Sequence, residues 1–419
     1  MEARRHRKLE VAAWGAVTFA ALLASSSVLR PVRDALLLDG DPDQIPWVFI
    51  ATFLAISVAS PVWSALLANR SRRRFVPIAF HVFAACAVGF FLILRVDAGR
   101  IATGRAFYVW SAVFNLFVVS VFWSLLADLL GPTTARQLYG PIAAGGTAGT
   151  IIGPILVRSL VGTLGVAGML VLCAVLLELA VLGVHQLRRA GARLPPDAAS
   201  PADGEPDAPA GGGAFTGIAH VARSPYLAAI LGYVLCTACA ATFMYLAQAR
   251  IVHDALADRA ARAGYFASLD QWTAIVTLGL QTLCAGPALG WFGPAVVLAV
   301  LPLAQAAGIS VLAAAPSLTS LAIVQVIGRS ATHGLTRPAR ELLFTVVSRD
   351  DKYRAKHAID TIGYRLGDVT SGWLYKGLLA IGVGSGALVG AAVPLVATWL
   401  GLAFVLGAGF RRRIPKERT

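Results

Sequence analysis

The sequence predicts an all-α integral membrane protein, with about twelve transmembrane helices in two six-helix bundles. Three observations predict it. Hydrophobic residues make up 57% of the 419 positions and charged residues only 14%, a balance foreign to water-soluble domains. Mean hydropathy is +0.70, and apolar runs of about 20 residues, enough to cross about 30 Å of hydrocarbon, recur along the chain. One polar stretch near the middle then divides those runs into two equal sets.

Taken in order, the first six spans are expected at 12–38, 46–68, 76–95, 106–128, 140–163 and 165–187. The second six are expected at 226–250, 269–290, 294–314, 318–347, 357–381 and 387–410. The bundles are therefore 1–187 and 226–419, joined by a cytoplasmic linker at 188–225. Its segment from Arg193 to Ala214 is rich in Pro, Ala, Asp and Gly, with too little apolar surface to fold alone. The start of the chain looks like a signal peptide, with Arg4, Arg5, Arg7 and Lys8 before an apolar core. The apolar run continues past Ser27, so an uncleaved first span is expected.

Charge gives the orientation. Arg4 to Lys8, Asn69 to Arg74, Arg136, Arg188–Arg189, Arg349 to Lys356 and Arg411–Arg413 fall on alternate connections. That side is the cytoplasm by the positive-inside rule, with both termini inside. The net charge of +14 then reports topology in a lipid bilayer rather than a nucleic-acid partner. All five cysteines lie in apolar segments, which argues against a disulfide framework. Cys236 and Cys239 have redox-motif spacing without its strand-and-helix context. No phosphate-cradling Gly-x-x-x-x-Gly-Lys-[Ser/Thr] loop, His-Glu-x-x-His or nucleophile elbow occurs, so neither an enzyme nor a bound metal or cofactor is expected.

Two copies of one pattern interrupt the apolar runs: Arg30-Pro31-Val32-Arg33-Asp34 and Arg337-Pro338-Ala339-Arg340-Glu341. Ionised groups at membrane depth are expensive and face a water-filled path or a partner. Proline removes a helix hydrogen bond and leaves carbonyls open. At 1.5 Å per residue Arg33 falls about 12 Å outward of its span's middle, and Arg340 a similar distance inward. A cationic pair near each end of a central path suits an anionic cargo, and arginine's planar fork suits phosphate or carboxylate. Arg30, Arg33, Arg337 and Arg340 are thus the candidate substrate-binding residues. Asp34 and Glu341 either gate them or neutralise them as salt bridges.

Further charge sits in the tenth and eleventh spans. Arg329, His333 and Arg337 recur every four residues, as do Asp360, Tyr364 and Asp368, with Arg365 alongside. Each set lies on one face of a regular helix. They form either a helix-to-helix charge network or a coupling relay for protons or ions. In the fifth span Gly145, Gly149 and Gly153, followed by Pro154, strip side chains from one face and permit close helix contact.

These motifs resemble the major facilitator superfamily and, within it, the nucleotide exchange (ATP/ADP translocase-like) branch. The stretch from Trp63 to Arg74 is similar to the superfamily's loop between spans two and three, with Asn69 and Ser71 in place of its acid and glycine. Leu29 to Asp34 resembles the exchangers' Leu-Arg-Asp-Thr-Lys-Asp segment. Arg340-Glu341 and Lys352 to Asp360 resemble their Lys-Glu and Lys-x-Lys-x-x-Ile-Asp segments. Gly140, Gly149 and Gly153-Pro154 resemble the antiporter motif of the fifth span, with Val157-Arg158 replacing its terminal glycines. The resemblance implies a monomeric antiporter of the bacterial inner membrane. The resemblance further implies exchange of ATP and ADP, with Arg33 and Arg340 at the positions of two lysines implicated in nucleotide binding. The exchangers also carry acids in the fourth and seventh spans, where this chain offers Asn115 and Gln248. A proton-coupled carrier of a different small solute is the second expectation.

Overall fold

The computed structural model describes residues 2–68, 72–96, 99–194, 221, 223–348, 355–356, 359, 363–380 and 385–413. Among these residues every regular element is helical. The helices are α1 (Glu2–Leu37), α2 (Ile45–Ala68), α3 (Arg72–Arg95), α4 (Arg100–Leu129), α5 (Pro132–Ala192) and α6 (Pro225–Ala255). They continue as α7 (Arg259–Gly279), α8 (Ala285–Ala314), α9 (Leu318–Ala331), α10 (Arg337–Leu343), α11 (Tyr364–Ala380) and α12 (Ser385–Arg413). Eight helical stretches of the described residues are long and apolar enough to cross a membrane.

Two of those stretches supply two segments each. α5 is broken at Gly165 (φ 68°, ψ 172°) and α8 at Gly293 (φ 71°, ψ 174°). A side chain would be strained in that left-handed region, so glycine marks each break. The sequence places span boundaries at these same two points. It does not foresee that the expected span 318–347 is interrupted. Its residues form α9, a π turn at Thr332–Thr336, α10 and a short 3-10 turn at Phe344–Val346. A second π turn, Leu280–Cys284, joins α7 to α8.

The chain divides into two compact units. The first comprises Met1–Gln44, Ile50–Gly204 and Leu256–Gln271; the second comprises Ile45–Phe49, Glu205–Ala255 and Trp272–Thr419.

In the first unit α1 packs along α5. A Cβ added at Gly145 would strike the Ala16 carbonyl, and one at Gly149 the Ala20 carbonyl. One at Gly153 would fall 2.6 Å from the Ser27 Cβ and 2.8 Å from the Ala24 carbonyl. The two backbones therefore touch, which only side-chain-free positions permit. Pro154, next in line, is buried. On its other side α1 meets α4, where a Cβ at Gly104 would lie 2.5 Å from the Leu36 carbonyl. A run of aromatic rings, Phe83, Phe90, Phe107, Trp110 and Phe114, fills the seam between α3 and α4.

The second unit is built around α6. Tyr226 donates to the Leu343 carbonyl (3.1 Å) and Tyr233 to the Leu298 carbonyl (2.8 Å). Such buried hydroxyls need a partner, and here they pin α6 to α10 and α8. Tyr233 also meets the fully buried Trp399 of α12 edge to face.

Candidate functional site

In the first unit Ser26, Arg30 and Arg33 follow one another at intervals of four and three residues and share a face of α1. Ser26 donates to the Asn115 side-chain oxygen of α4. The Arg33 guanidinium lies over the Tyr108 ring, 4.5 Å from its centroid. Tyr108 and Asn115 are two turns apart on α4, so the two helices present matching polar stripes. Arg33 also donates from Nε to Asp34 Oδ1 at 2.9 Å. A neighbour in sequence therefore neutralises it. Arg30 approaches Asp270 of α7 at 3.8 Å; its side chain is 40% exposed, whereas that of Asp270 is 6% exposed.

The end of α1 is held by a second charge cluster. Arg259 and Arg262 both approach the buried Asp39 carboxylate. Arg262 also donates to the Leu38 carbonyl at 2.8 Å and to the Leu256 carbonyl at 2.6 Å. The last carbonyls of a helix lack intrahelical donors, and a cation there complements the helix dipole.

The second unit arranges its copy of the pattern differently. Across the π turn the Arg337 N–H bonds the Thr332 carbonyl, five residues back. Pro338 would donate next, to His333, but has no N–H. Gln281 fills that place, donating from Nε2 to the His333 carbonyl at 3.1 Å. The wide turn also resets the helical phase. Arg329 is half-buried, His333 and Arg337 are exposed, and Arg340 is buried. The shared face expected for Arg329, His333 and Arg337 from regular spacing is therefore not a regular face, because five of the intervening residues wind as a π turn. Glu341 pairs with Lys356 (2.6 Å). Asp368 of α11 accepts from Thr242 of α6 at 3.3 Å. Asp360 lies outside the described residues, and Arg365 is described only as a backbone position of α11.

The structure thus places Arg30, Arg33 and Asp34 close together near the end of α1, Arg30 toward Asp270 and Arg33 toward Asp34 and Tyr108. It sets Arg329, His333, Arg337, Arg340 and Glu341 along one discontinuous helix of the second. Sequence reasoning missed Asp270, Asp39, Arg259, Arg262, Tyr108 and Gln281. A lone acid within an apolar run was a signal for Asp270; nothing in the sequence pairs it with Arg30. Among the described residues no three His, Cys, Asp or Glu side chains converge to hold a metal ion.

Neither protein-family models nor the sequences of curated proteins match this chain. Solved structures do. The chain is similar to the nucleoside transporter NupG, with TM-score 0.61 and 14% identity over 98% of this chain and 100% of that one. It is similar to a POT family transporter in complex with a thioalcohol-conjugated peptide, with TM-score 0.64 and 11% identity over 96% and 97% of the two chains. A bacterial homologue of the human lysosomal transporter Spinster, in an inward-facing and unoccupied conformation, gives TM-score 0.54 and 17% identity over 97% and 96%. Identities this low speak to the backbone alone. By that backbone, this chain has the major-facilitator fold that its sequence predicts.

Proposed function

We propose that this chain is a secondary transporter working by alternating access, and that its cargo is a small anionic metabolite, with nucleotide exchange the leading case. The observation that carries this reading is Arg30. It lies within a candidate membrane span, its side chain is 40% exposed, and it approaches the Asp270 carboxylate at 3.8 Å. A partly exposed guanidinium beside a carboxylate can exchange that partner for a phosphate. The fold supports transport, and Arg33 over Tyr108 offers a cationic and aromatic surface beside it.

A second reading has its own support. Each arginine of the site is matched by an acid, Arg33 by Asp34 and Arg30 by Asp270. A cluster balanced in this way suits an uncharged or zwitterionic solute, carried with a proton. NupG is a nucleoside transporter and the POT structure holds a peptide conjugate.

The test is counterflow in proteoliposomes loaded with ATP and offered labelled ADP. Exchange should occur in the wild type and fall on the order of tenfold to a hundredfold in Arg30→Ala, the scale of one charged hydrogen bond lost. Arg33→Ala should behave likewise, both variants remaining folded in detergent. No exchange by the folded wild type overturns the nucleotide reading. Nucleoside uptake that collapses with a protonophore would establish the second.

A further inference from the structure

Two helices of the first unit turn apolar stripes outward. Ile78 and Val82 are exposed on α3, and Val175, Leu179 and Leu182 on the second limb of α5. Intervals of three and four residues mark each set as one helix face. A titratable pair interrupts both stripes. His81 Nδ1 lies 2.8 Å from Glu178 Oε1, and the two side chains are 52% and 48% exposed.

Their depth makes the pair unusual. At 1.5 Å per residue Glu178 stands about 20 Å along the helix from Gly165 and about 21 Å from Ala192. His81 stands about 9 Å in from Phe75, where its apolar span begins, and about 21 Å from Arg95. Both residues therefore sit well inside candidate spans. At a protein surface in water such a pair would be a solvated ion pair worth little. Inside a span an ionisable residue needs a reason.

We infer that His81 and Glu178 form a proton-binding site within the membrane-spanning part of the first unit. The ligand is a single proton. Starting from neutral imidazole and carboxylate, uptake of a proton from water makes one new bond. Either Nε2 gains N–H while Nδ1–H donates to Glu178, or Glu178 gains O–H and donates to Nδ1. Both forms carry no net charge, the state that a low-dielectric surrounding favours over either charged one. No electron moves and no other reactant is needed. Because the two groups share one proton, its uptake involves both at once.

Among the described residues the other titratable groups stand off along their helices: Cys86 lies five residues after His81 on α3, Cys173 five residues before Glu178 on α5, and Tyr108 of α4 lies under Arg33. On α5, His185 lies two turns beyond Glu178 on the same face, about 10 Å along the axis. On α4, Phe83 marks the level of the pair through its contacts with Trp110 and Phe114. Arg105 and Asp128 then lie several residues beyond that level on either side. On α1, Thr18 lies opposite Gly183. That places Arg30 and Glu10 about 10 Å or more along the axis from Glu178.

Infrared pH-difference spectra of the purified full chain in lipid nanodiscs read imidazole and carboxyl bands together. The bands lost in Glu178→Gln and those lost in His81→Gln should share one midpoint in the wild type. In each variant the surviving partner's bands should no longer follow the wild-type midpoint. Bands that titrate separately, or that ignore loss of the partner, overturn the site. A wild-type measurement covers the case of a variant that does not fold. Dicyclohexylcarbodiimide, an apolar reagent for protonated carboxyls, should modify Glu178, less so as pH rises. Modification of other carboxyls with Glu178 untouched at every pH would refute the proposal. Neither readout depends on the cargo, so failure here leaves the transport reading standing.

Discussion

In the first unit the Arg-Pro-x-Arg-acid segment lies inside an unbroken helix, whereas in the second it starts a new helix behind a π turn. The five positions match in kind, so the difference comes from the surroundings. Pro31 withholds an N–H from the carbonyl four residues back, yet α1 runs on to Leu37. It is clamped there between the glycine face of α5 and Gly104 of α4, contacts that fix the backbone whatever the local hydrogen bonding prefers. Pro338 has a π turn before it and a side chain, Gln281, that supplies the missing donor. Tertiary packing, not the motif, decides whether proline breaks a helix.

Both units also use a side chain to cover an open helix carbonyl, with different strength. In the first it is the guanidinium of Arg262, buried, bonded to the Leu38 carbonyl and beside the Asp39 carboxylate. In the second it is the neutral amide of Gln281, exposed. The largest effect should therefore come from Arg262→Met. Removing one member of a buried charged cluster costs about 3–5 kcal/mol, and thermal unfolding in detergent would read it. A loss below about 1 kcal/mol is the scale of an exposed ion pair, and would erase the contrast with Gln281.

The prolines sharpen the comparison next. A proline inside a helix costs about 3 kcal/mol, while one in the first turn costs little, since its N–H would be open there anyway. Pro31→Ala should raise the unfolding midpoint, with a gain of up to about 3 kcal/mol. Pro338→Ala should change it by less than about 1 kcal/mol. Equal gains in the two variants would mean that the clamp on α1 does nothing special for Pro31.

Much of the fold is legible in the sequence, because apolar runs and the residues that end them are local. The boundary placed at residues 163–165 is the break at Gly165, and the boundary at 290–294 is the break at Gly293. The sites are less legible because they are contacts between distant positions. Arg30 and Asp270 lie 240 residues apart, and His81 and Glu178 lie 97 apart. Each acid reads alone as an oddity in an apolar run. The π turn is hidden for another reason. Arg329, His333 and Arg337 obey the four-residue interval of a regular helix, and only the missing N–H of Pro338 hints that the backbone departs from it.

The smallest effect tests that last point. Gln281→Leu removes a neutral hydrogen bond at an exposed carbonyl and should cost about 1 kcal/mol. In the Pro338→Ala background, residue 338 regains an N–H, and in the register of the π turn that N–H reaches the His333 carbonyl, five residues back. The Gln281 contact is then redundant, so Gln281→Leu should cost less there than in the wild type. A double-mutant cycle by thermal unfolding isolates the difference. Additive effects would show that Gln281 does not stand in for the proline's missing donor. The π turn would then owe its place to packing against Leu280–Cys284, where a Cβ at Gly334 would already lie 2.7 Å from the Leu280 side chain.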